Sequence, residues 1–177
     1  MGMFKDSKLN EAKTSGGGRY LMEEGRFEIK ITSFKGIKTR AKESALVADF
    51  QILASDTQNV KTGSTYNFYA GENDDMFAGK VKALLIAASG LSEAEDTDEI
   101  EKIDFDDLLE KCLLNPKLII GNKLFVDGVR MLKKDGKKAA KADPSLLDDK
   151  EWYKKNSFVR LDFSYHPDQR AQLKSAS

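Results

Sequence analysis

Residues 27–32 of the chain read FEIKIT, and this alternation of apolar and polar residues decides the fold class. A period of two is typical of a β-strand that buries one face, because successive side chains of a strand point to opposite sides. Residues 46–52, LVADFQI, repeat the pattern. The sequence therefore predicts two strands of one sheet, joined by a connection that carries Lys35, Lys38, Arg40 and Lys42.

Three further segments have strand character. Residues 65–69 are β-branched and aromatic and follow turn residues at 62–64. Residues 123–132 contain Asp127-Gly128, which we interpret as a β-bulge in preference to a tight turn. The last strand is predicted at residues 158–165. Its alternation should turn one set of side chains inward, Val159, Leu161, Phe163 and Tyr165, and the other set outward, Phe158, Arg160 and Asp162.

Between the third and fourth strands the apolar spacing changes to that of helices. Asn73 is a candidate N-cap for a first helix, which Gly90 should end. Ser92 and Glu95 have the spacing of a capping box at the start of an acidic segment that we expect to be partly loop. A second helix is predicted over residues 105–114, because its leucines fall on one face.

Three strands, a helical insertion and two strands are the element order of a five-stranded OB-type β-barrel. We therefore predict a mainly β protein with a helix between strands three and four. Residues 1–19 are expected to be a flexible N-terminal tail, residues 20–166 the domain, and residues 167–177 a C-terminal tail. In this fold, ligands bind on the face of strands two and three, flanked by the loop that joins strands one and two and the loop that joins strands four and five.

Charge is balanced over the whole chain but unevenly distributed along it. The 29 basic and 29 acidic residues give a net charge of zero. Residues 91–110 hold ten acidic residues against one lysine, whereas residues 130–141 hold six basic residues against one aspartate. Residues 35–42 hold four basic residues and no acidic one. The two basic stretches fall on the two loops that flank the ligand face of the predicted barrel, a placement that favours nucleic acid.

The residue types needed for catalysis are scarce. His166 is the only histidine and Cys112 the only cysteine, and we expect both to be structural. Glu28 and Lys30 form the Glu-x-Lys found in many nucleases, but the only aspartate before them is Asp6, in the predicted tail. The acidic stretch lacks the spacing of a calcium loop. We therefore expect a protein that is not an enzyme, with no cofactor and no metal site.

Three motifs carry a resemblance to a known family: GRFEIKI at residues 25–31, LVADFQI at 46–52 and the helix KALLIAASG at 82–90. With them, the chain resembles phage-encoded single-stranded-DNA-binding proteins with OB folds. The similarity extends over residues 20–166 as a pattern of strand, turn and helix. It implies a protein that coats exposed single strands during replication or recombination. Many such proteins end in an acidic tail that recruits partners, whereas residues 169–174 here read QRAQLK.

Binding a single strand requires cations that follow the phosphates and flat side chains on which bases stack. The candidate cations are Lys35, Lys38, Arg40, Lys42, Lys133, Lys134, Lys137, Lys138, Lys154, Lys155 and Arg160. The candidate stacking residues are Trp152 and Tyr153 in the second loop, with Tyr69 and Phe158, which should face outward on strands three and five. Packing within the barrel is the commoner role for Tyr69 and Phe158, while packing and stacking fit Trp152 and Tyr153 equally.

The sequence thus predicts a non-catalytic, cytoplasmic protein whose ligand is single-stranded DNA; the compartment is the bacterial host cytoplasm if a phage encodes it. We expect no membrane association, because no apolar run approaches the length of a span or a signal segment. The acidic stretch 91–110 should face away from the phosphates, and it is a candidate contact for replication or recombination proteins. The alternative is a protein-interaction or virion-assembly module that acts through this acidic helical segment.

Overall fold

The computed structural model describes residues 20–134, 137–141 and 157–175, and this part of the chain is mainly β with helices. Its strands are β1 (Gly25–Lys38), β2 (Ser44–Ser55), β3 (Thr65–Gly71), β4 (Lys123–Lys134), β5 (Lys137–Lys141) and β6 (Ser157–Tyr165). Its helices are α1 (Phe77–Ala88), α2 (Thr97–Glu101), α3 (Phe105–Leu114) and α4 (Pro167–Ser175), with a 3₁₀ turn at Pro116–Leu118. The mainly β class and the helices between the third and fourth strands are confirmed.

The strands form one antiparallel sheet. Its order is β3-β2-β1-β4, and β4 pairs further with both β5 and β6. Strand β1 joins the two halves, because it pairs with β2 over most of its length and with β4 from Gly25↔Gly128 to Lys30↔Lys123. Among the described strands no ladder connects β3 to β6. The sheet is therefore open between these two edges.

The core lies between the sheet and α1. Alternation buries Phe27, Ile29 and Ile31 in β1, as the sequence predicts. Helix α1 places Leu84 and Leu85 in the same cluster. Full burial of a side chain of this size contributes about 1.5–3 kcal/mol of transfer free energy. Helix α1 is thus fixed by the core, and this sets the position of its other faces.

The start of α1 differs from the prediction. The helix begins at Phe77, with Met76 at its N-cap, and Asn73 does not cap it. The reason is a turn ahead of the helix, in which the Asp74 carboxylate accepts a 2.9 Å hydrogen bond from the Met76 N–H. Gly90 follows the helix with a φ of 78°, so its predicted role in ending the helix is confirmed.

The predicted capping box at Ser92 and Glu95 does not form. The carboxylate of Asp96 instead accepts a 2.8 Å hydrogen bond from the Ser92 N–H. Helix α2 begins only after Asp96, so the acidic segment is partly turn. Helix α3 has the predicted bounds and is capped by Asp104, whose carboxylate accepts from the Asp107 N–H.

The predicted bulge at Asp127-Gly128 is wrong. Strand β4 pairs through both residues in continuous register with β1 and with β6. Glycine is needed for another reason, since a Cβ at position 128 would overlap the carbonyl oxygen of Glu23. The residue therefore marks a close approach of backbone and no interruption of the strand.

Both basic connections are more regular than predicted. Lys35 and Lys38 lie within β1, so the turn to β2 is confined to residues 39–43. The five predicted strands are present, and the additional strand β5 arises in the stretch between the predicted fourth and fifth strands, where it forms a hairpin with β4. Residues 142–156 lie outside the described part of the chain.

Residues 167–175, expected as part of a tail, form helix α4. Pro167 suits the first helical position, and the ring nitrogen Nδ1 of His166 accepts a 3.0 Å hydrogen bond from the Asp168 N–H. Arg170 then joins the helix to Asp96. The predicted tail at residues 1–19 lies outside the described residues. No described helix is both long and apolar enough to cross a membrane.

Candidate functional site

A groove of about 360 Å³ runs along the open seam between β3 and β6. Its walls come from four elements: residues 20–22 ahead of β1, residues 67–69 of β3, residues 158–162 of β6 and one side of α1. The α1 side is formed by Gly79, Lys80 and Ala83. The groove thus exists because the sheet does not close, and α1 forms part of its wall.

Large apolar side chains are exposed in this groove. Tyr20, Met22 and Met76 are half exposed or more, and Tyr69 and Phe158 are 37% and 40% exposed. These five residues are the majority of the nine large apolar side chains that are exposed in the described part of the chain. A contiguous patch of this kind marks an interaction site, because burial in a partner removes apolar surface from water.

The strand period explains why two of these rings face the groove. Tyr69 lies between Phe68 and Ala70, which are both buried, so its own side chain points to the opposite side of β3. Phe158 likewise precedes the partly buried Val159 in β6. The sequence pattern predicts that both side chains face outward, and this is confirmed. The inward set of β6 is only partly buried, because the edge of this strand is open.

The cations inside the groove are paired with neighbouring carboxylates. Arg160 forms two hydrogen bonds of 2.8 and 3.0 Å with Asp162. Lys80 lies 2.8 Å from Asp74, and this hydrogen bond, with that from the Met76 N–H, lowers the pKa of Asp74. The groove itself is therefore mainly apolar, and little of its positive charge is free to attract phosphate.

Tyr69 remains a neutral phenol at physiological pH. Burial raises its pKa above the usual value, and the nearby Glu43 carboxylate and Tyr20 act in the same direction. Asn67, the residue two positions earlier in β3, is buried and donates a side-chain hydrogen bond to Asp49. The polar groups at this wall are thus uncharged or already hydrogen-bonded.

The β1–β2 hairpin brings the first basic stretch beside the same sheet face. In the register of the sheet, Lys35 lies opposite Val47, and Val47 opposite Tyr69. Two strand spacings separate Lys35 from Tyr69, roughly 10 Å. Arg40 and Lys42 are exposed in the turn. Lys38 donates a 2.6 Å hydrogen bond to Ser44.

The β4–β5 hairpin carries the second basic stretch at the other end of the groove. Met131 of β4 pairs with Phe158 on one side and with Lys141 on the other. The chain continues past this point into Lys133, Lys134, Lys137 and Lys138, with Lys134 opposite Lys137. The hairpin therefore extends beyond the Phe158 end of the groove. The candidates Trp152, Tyr153, Lys154 and Lys155 lie outside the described residues.

His166 and Cys112 occupy structural positions. His166 is buried, its Nε2 lies 3.0 Å from a carboxylate oxygen of Glu28, and its ring stacks on Phe125. Cys112 is buried in the main core, and burial raises the pKa of its thiol. Within residues 20–134, 137–141 and 157–175, no three His, Cys, Asp or Glu side chains are grouped so that they could hold a metal ion.

The acidic segment, residues 91–110, lies on the other side of α1. Ile86 of α1 packs with Leu91 and Ile100 of this segment in a separate apolar cluster. None of the residues 91–110 lines the groove. Arg170 of α4 holds the segment by hydrogen bonds to Asp96 of 2.5 and 3.1 Å and to Glu95 of 3.1 Å.

Sequence reasoning missed Tyr20, Met22 and Met76. They lie in segments without a strand or helix period, so no pattern marks them as exposed. Comparison with known proteins matched no family model and no curated protein. The groove and the charges around it are therefore the features of this protein that bear on its function.

Proposed function

We propose that this protein is a non-catalytic single-stranded-DNA-binding protein that holds the bases of one strand in the groove between β3 and β6. The observation that carries the proposal is the cluster of five exposed apolar side chains in the groove, three of them aromatic. Aromatic rings stack on the faces of unpaired bases at about 1–3 kcal/mol per base. Such exposure is costly without a ligand, so a flat apolar ligand accounts for it.

We further propose that the sheet is an OB-type fold with one open seam. In support, β1 pairs with both β2 and β4, and the helices lie between the third and fourth strands. Strand β6 pairs with β4 and reaches the β3 side only through side chains, where the rings of Phe68 and Phe163 meet edge to face at 5.3 Å. The groove follows from this seam.

The phosphates of the strand would follow the two basic hairpins. Lys35, Arg40 and Lys42 form no salt bridge with a described residue, whereas the groove residues Lys80 and Arg160 do. Cations that are not paired can replace the counterions of a nucleic acid, which makes binding depend on salt. The strand would thus extend from the β1–β2 hairpin, past the aromatic rings, to the β4–β5 hairpin.

This arrangement favours single strands of any sequence. Stacking requires base faces that a duplex hides, and it accepts every base. Recognition of base edges requires free donors and acceptors, and the Asn67 side chain at the β3 wall already donates to Asp49 of β2. Together with the family resemblance, this supports a role in coating exposed strands during phage DNA replication or recombination in the bacterial cytoplasm.

The test is a titration of the full chain with a labelled oligothymidylate and with a duplex of the same length, at several salt concentrations. We expect tighter binding to the single strand and an affinity that falls as salt increases. A mixed-sequence single strand should bind within about threefold of oligothymidylate, because stacking discriminates weakly. Tighter binding to the duplex, or no binding at low salt, would contradict the proposal.

A second candidate function is a protein-interaction or virion-assembly module that acts through the acidic segment. The observation that favours it is a second exposed apolar group at the C-terminal end of the acidic helix α3 and just beyond it: Leu114, Leu118 and Ile120. Replication or recombination proteins with a basic surface are the partners that such a face would take. A charged substitution, Leu118→Glu, should then abolish partner binding and leave oligonucleotide affinity unchanged.

A further inference from the structure

The segment Tyr20–Glu24, here named the strap, is fixed at three points. Tyr20 forms a parallel bridge with Asn67 of β3. Leu21 is only 3% exposed and belongs to the main core cluster. At the other end of the strap, the Glu23 carbonyl occupies the space that a side chain on Gly128 would need.

These contacts place the strap across the open seam. Its bridge to Asn67 is made at β3, whose described ladder is with β2 alone. Its other end leads into β1 at Gly25, which pairs with Gly128 of β4. The strap therefore reaches from the β4 side of the sheet to the edge of β3, where the sheet lacks a ladder to β6.

The side chains of the strap alternate between the core and the groove. Leu21 points into the core, whereas its neighbours Tyr20 and Met22 are exposed and line the groove. Tyr69 and Phe158 line the same groove from β3 and β6. Two of the five exposed apolar side chains of the groove thus depend on the strap for their position.

We propose that the strap is a wall of the binding site and that its position in the open seam is coupled to ligand binding. This inference rests on the proposed function. A strand in the groove contacts Tyr20 and Met22, and so holds the strap in the seam. Gly128 does not line the groove, and Leu21 borders it but is only 3% exposed and anchored in the core, so both act as positioning residues for this wall. Coupling of this kind is reciprocal, so ligand stabilises the seated strap and an unseated strap weakens binding.

Gly128→Ala tests the coupling without removing any groove side chain. The added methyl group meets the Glu23 carbonyl, which is backbone and cannot rotate away, so the strap must shift. Leu21→Ala removes the core anchor instead. The matched control is Ile100→Ala, which truncates a buried aliphatic side chain in the separate cluster beside the acidic segment. Leu21→Ala and Ile100→Ala each lose buried packing, whereas Gly128→Ala adds a methyl group; only Gly128→Ala and Leu21→Ala affect the strap.

The measurements are oligothymidylate affinity, unfolding curves and amide hydrogen exchange of residues 20–24 with and without the oligonucleotide. We expect the affinity to fall about tenfold in Gly128→Ala and Leu21→Ala, as for a site in which only about a tenth of the molecules are competent. Ile100→Ala should stay within about twofold. In the wild type, the oligonucleotide should slow exchange in the strap and slow cleavage after Glu23 and Glu24 by a glutamate-specific protease.

The outcomes separate the two proposals. If the wild type binds the oligonucleotide and the strap variants bind equally well, the strap inference is wrong and the proposed function stands. If Ile100→Ala loses as much affinity as Leu21→Ala, general destabilisation explains the loss and the inference is again wrong. If the wild type does not bind, both proposals fail. Should Gly128→Ala not fold, strap protection in the wild type and the affinity of Leu21→Ala decide the question.

Discussion

The groove between β3 and β6 and the acidic segment lie on two sides of α1. They differ in which side chains, apolar or charged, they expose to solvent. Gly79, Lys80 and Ala83 of α1 face the groove, while Ile86 packs under the acidic segment. The groove exposes apolar side chains and pairs the charges within it. The acidic segment buries its apolar side chains and exposes most of its charges.

The difference shows that part of the more conspicuous charge run, the acidic segment, has a structural role. Asp104 caps α3, Asp107 pairs with Lys111 at 2.7 Å, and Asp96 is held by Arg170. Several of the acids that dominate the sequence are thus engaged within the fold. The exposed side chains of the groove have no comparable internal role, so they are the better candidates for binding.

Removing the groove rings should have the largest effect on binding. We expect the combined change Tyr69→Ala and Phe158→Ala to weaken oligothymidylate binding by at least about thirtyfold, because each lost stacking contact costs about 1–3 kcal/mol. Since both side chains are partly exposed, the free energy of unfolding should change little. Binding measured by fluorescence anisotropy and stability measured by urea unfolding check the two statements.

The control for this change is Leu118→Ala, which removes an exposed apolar side chain beyond the acidic helix. It should bind the oligonucleotide as the wild type does. If it loses affinity to the same degree, or if the double variant binds normally, the groove has no special part in binding.

The next largest effect should fall on stability and should distinguish the two sides of α1. Arg170→Ala leaves the Asp96 carboxylate, whose side chain is only 13% exposed, without its bidentate partner. Losing the opposite charge at such a site is costly, even though the Ser92 N–H still donates to Asp96, so the urea midpoint should fall clearly while affinity at the groove is retained. Paired urea unfolding and oligonucleotide titrations of the folded variant measure both quantities.

Lys111→Ala is the comparison for Arg170→Ala, because it breaks the exposed pair with Asp107. An exposed pair of this type contributes little, so its midpoint should stay close to that of the wild type. Equal midpoints for the two variants would show that the link between α4 and the acidic segment does not stabilise the fold.

The smallest effect is expected from neutralising exposed acids. Asp98→Asn, Glu99→Gln and Glu101→Gln together should leave oligonucleotide affinity unchanged or slightly raised, since these residues are exposed and none of them lines the groove. Asp96 is kept, because its loss would unseat Arg170. Affinity measured at two salt concentrations gives the answer.

Lys42, a cation beside the proposed binding site, provides the comparison for this triple variant. Lys42→Ala should reduce the slope of log affinity against log salt by about 0.7, the value for one lost phosphate contact on a single strand. A loss of affinity in the acid triple variant larger than that in Lys42→Ala would mean that the acidic segment takes part in binding.

The elements with regular periods could be predicted from sequence. The alternation in β1 and β2 and the spacing in α3 identify these elements, because one buried face imposes its period on the residues. The same alternation predicts that Tyr69 and Phe158 face outward. The strap gives no such signal, since its five residues contain a single buried anchor, Leu21.

The role of Gly128 could not be predicted from the residues that surround it in the sequence. A glycine inside a strand pattern indicates a bulge or a close approach of another segment, and nothing near Gly128 in the sequence distinguishes these. The deciding neighbour, Glu23, comes from the far end of the domain. The groove cannot be predicted from the sequence for the same reason: its walls are far apart along the chain and meet only in the folded sheet.

The contact between the strap and Gly128 also has a consequence for folding during synthesis of the chain. Glu23 leaves the ribosome about 100 residues before Gly128, which at the usual rate of 5–20 residues per second is roughly 5–20 s. Until β4 has emerged and paired with β1, the backbone surface at Gly128 that receives the strap does not exist. The first described residues of the protein to be made are therefore among the last that can reach their final positions.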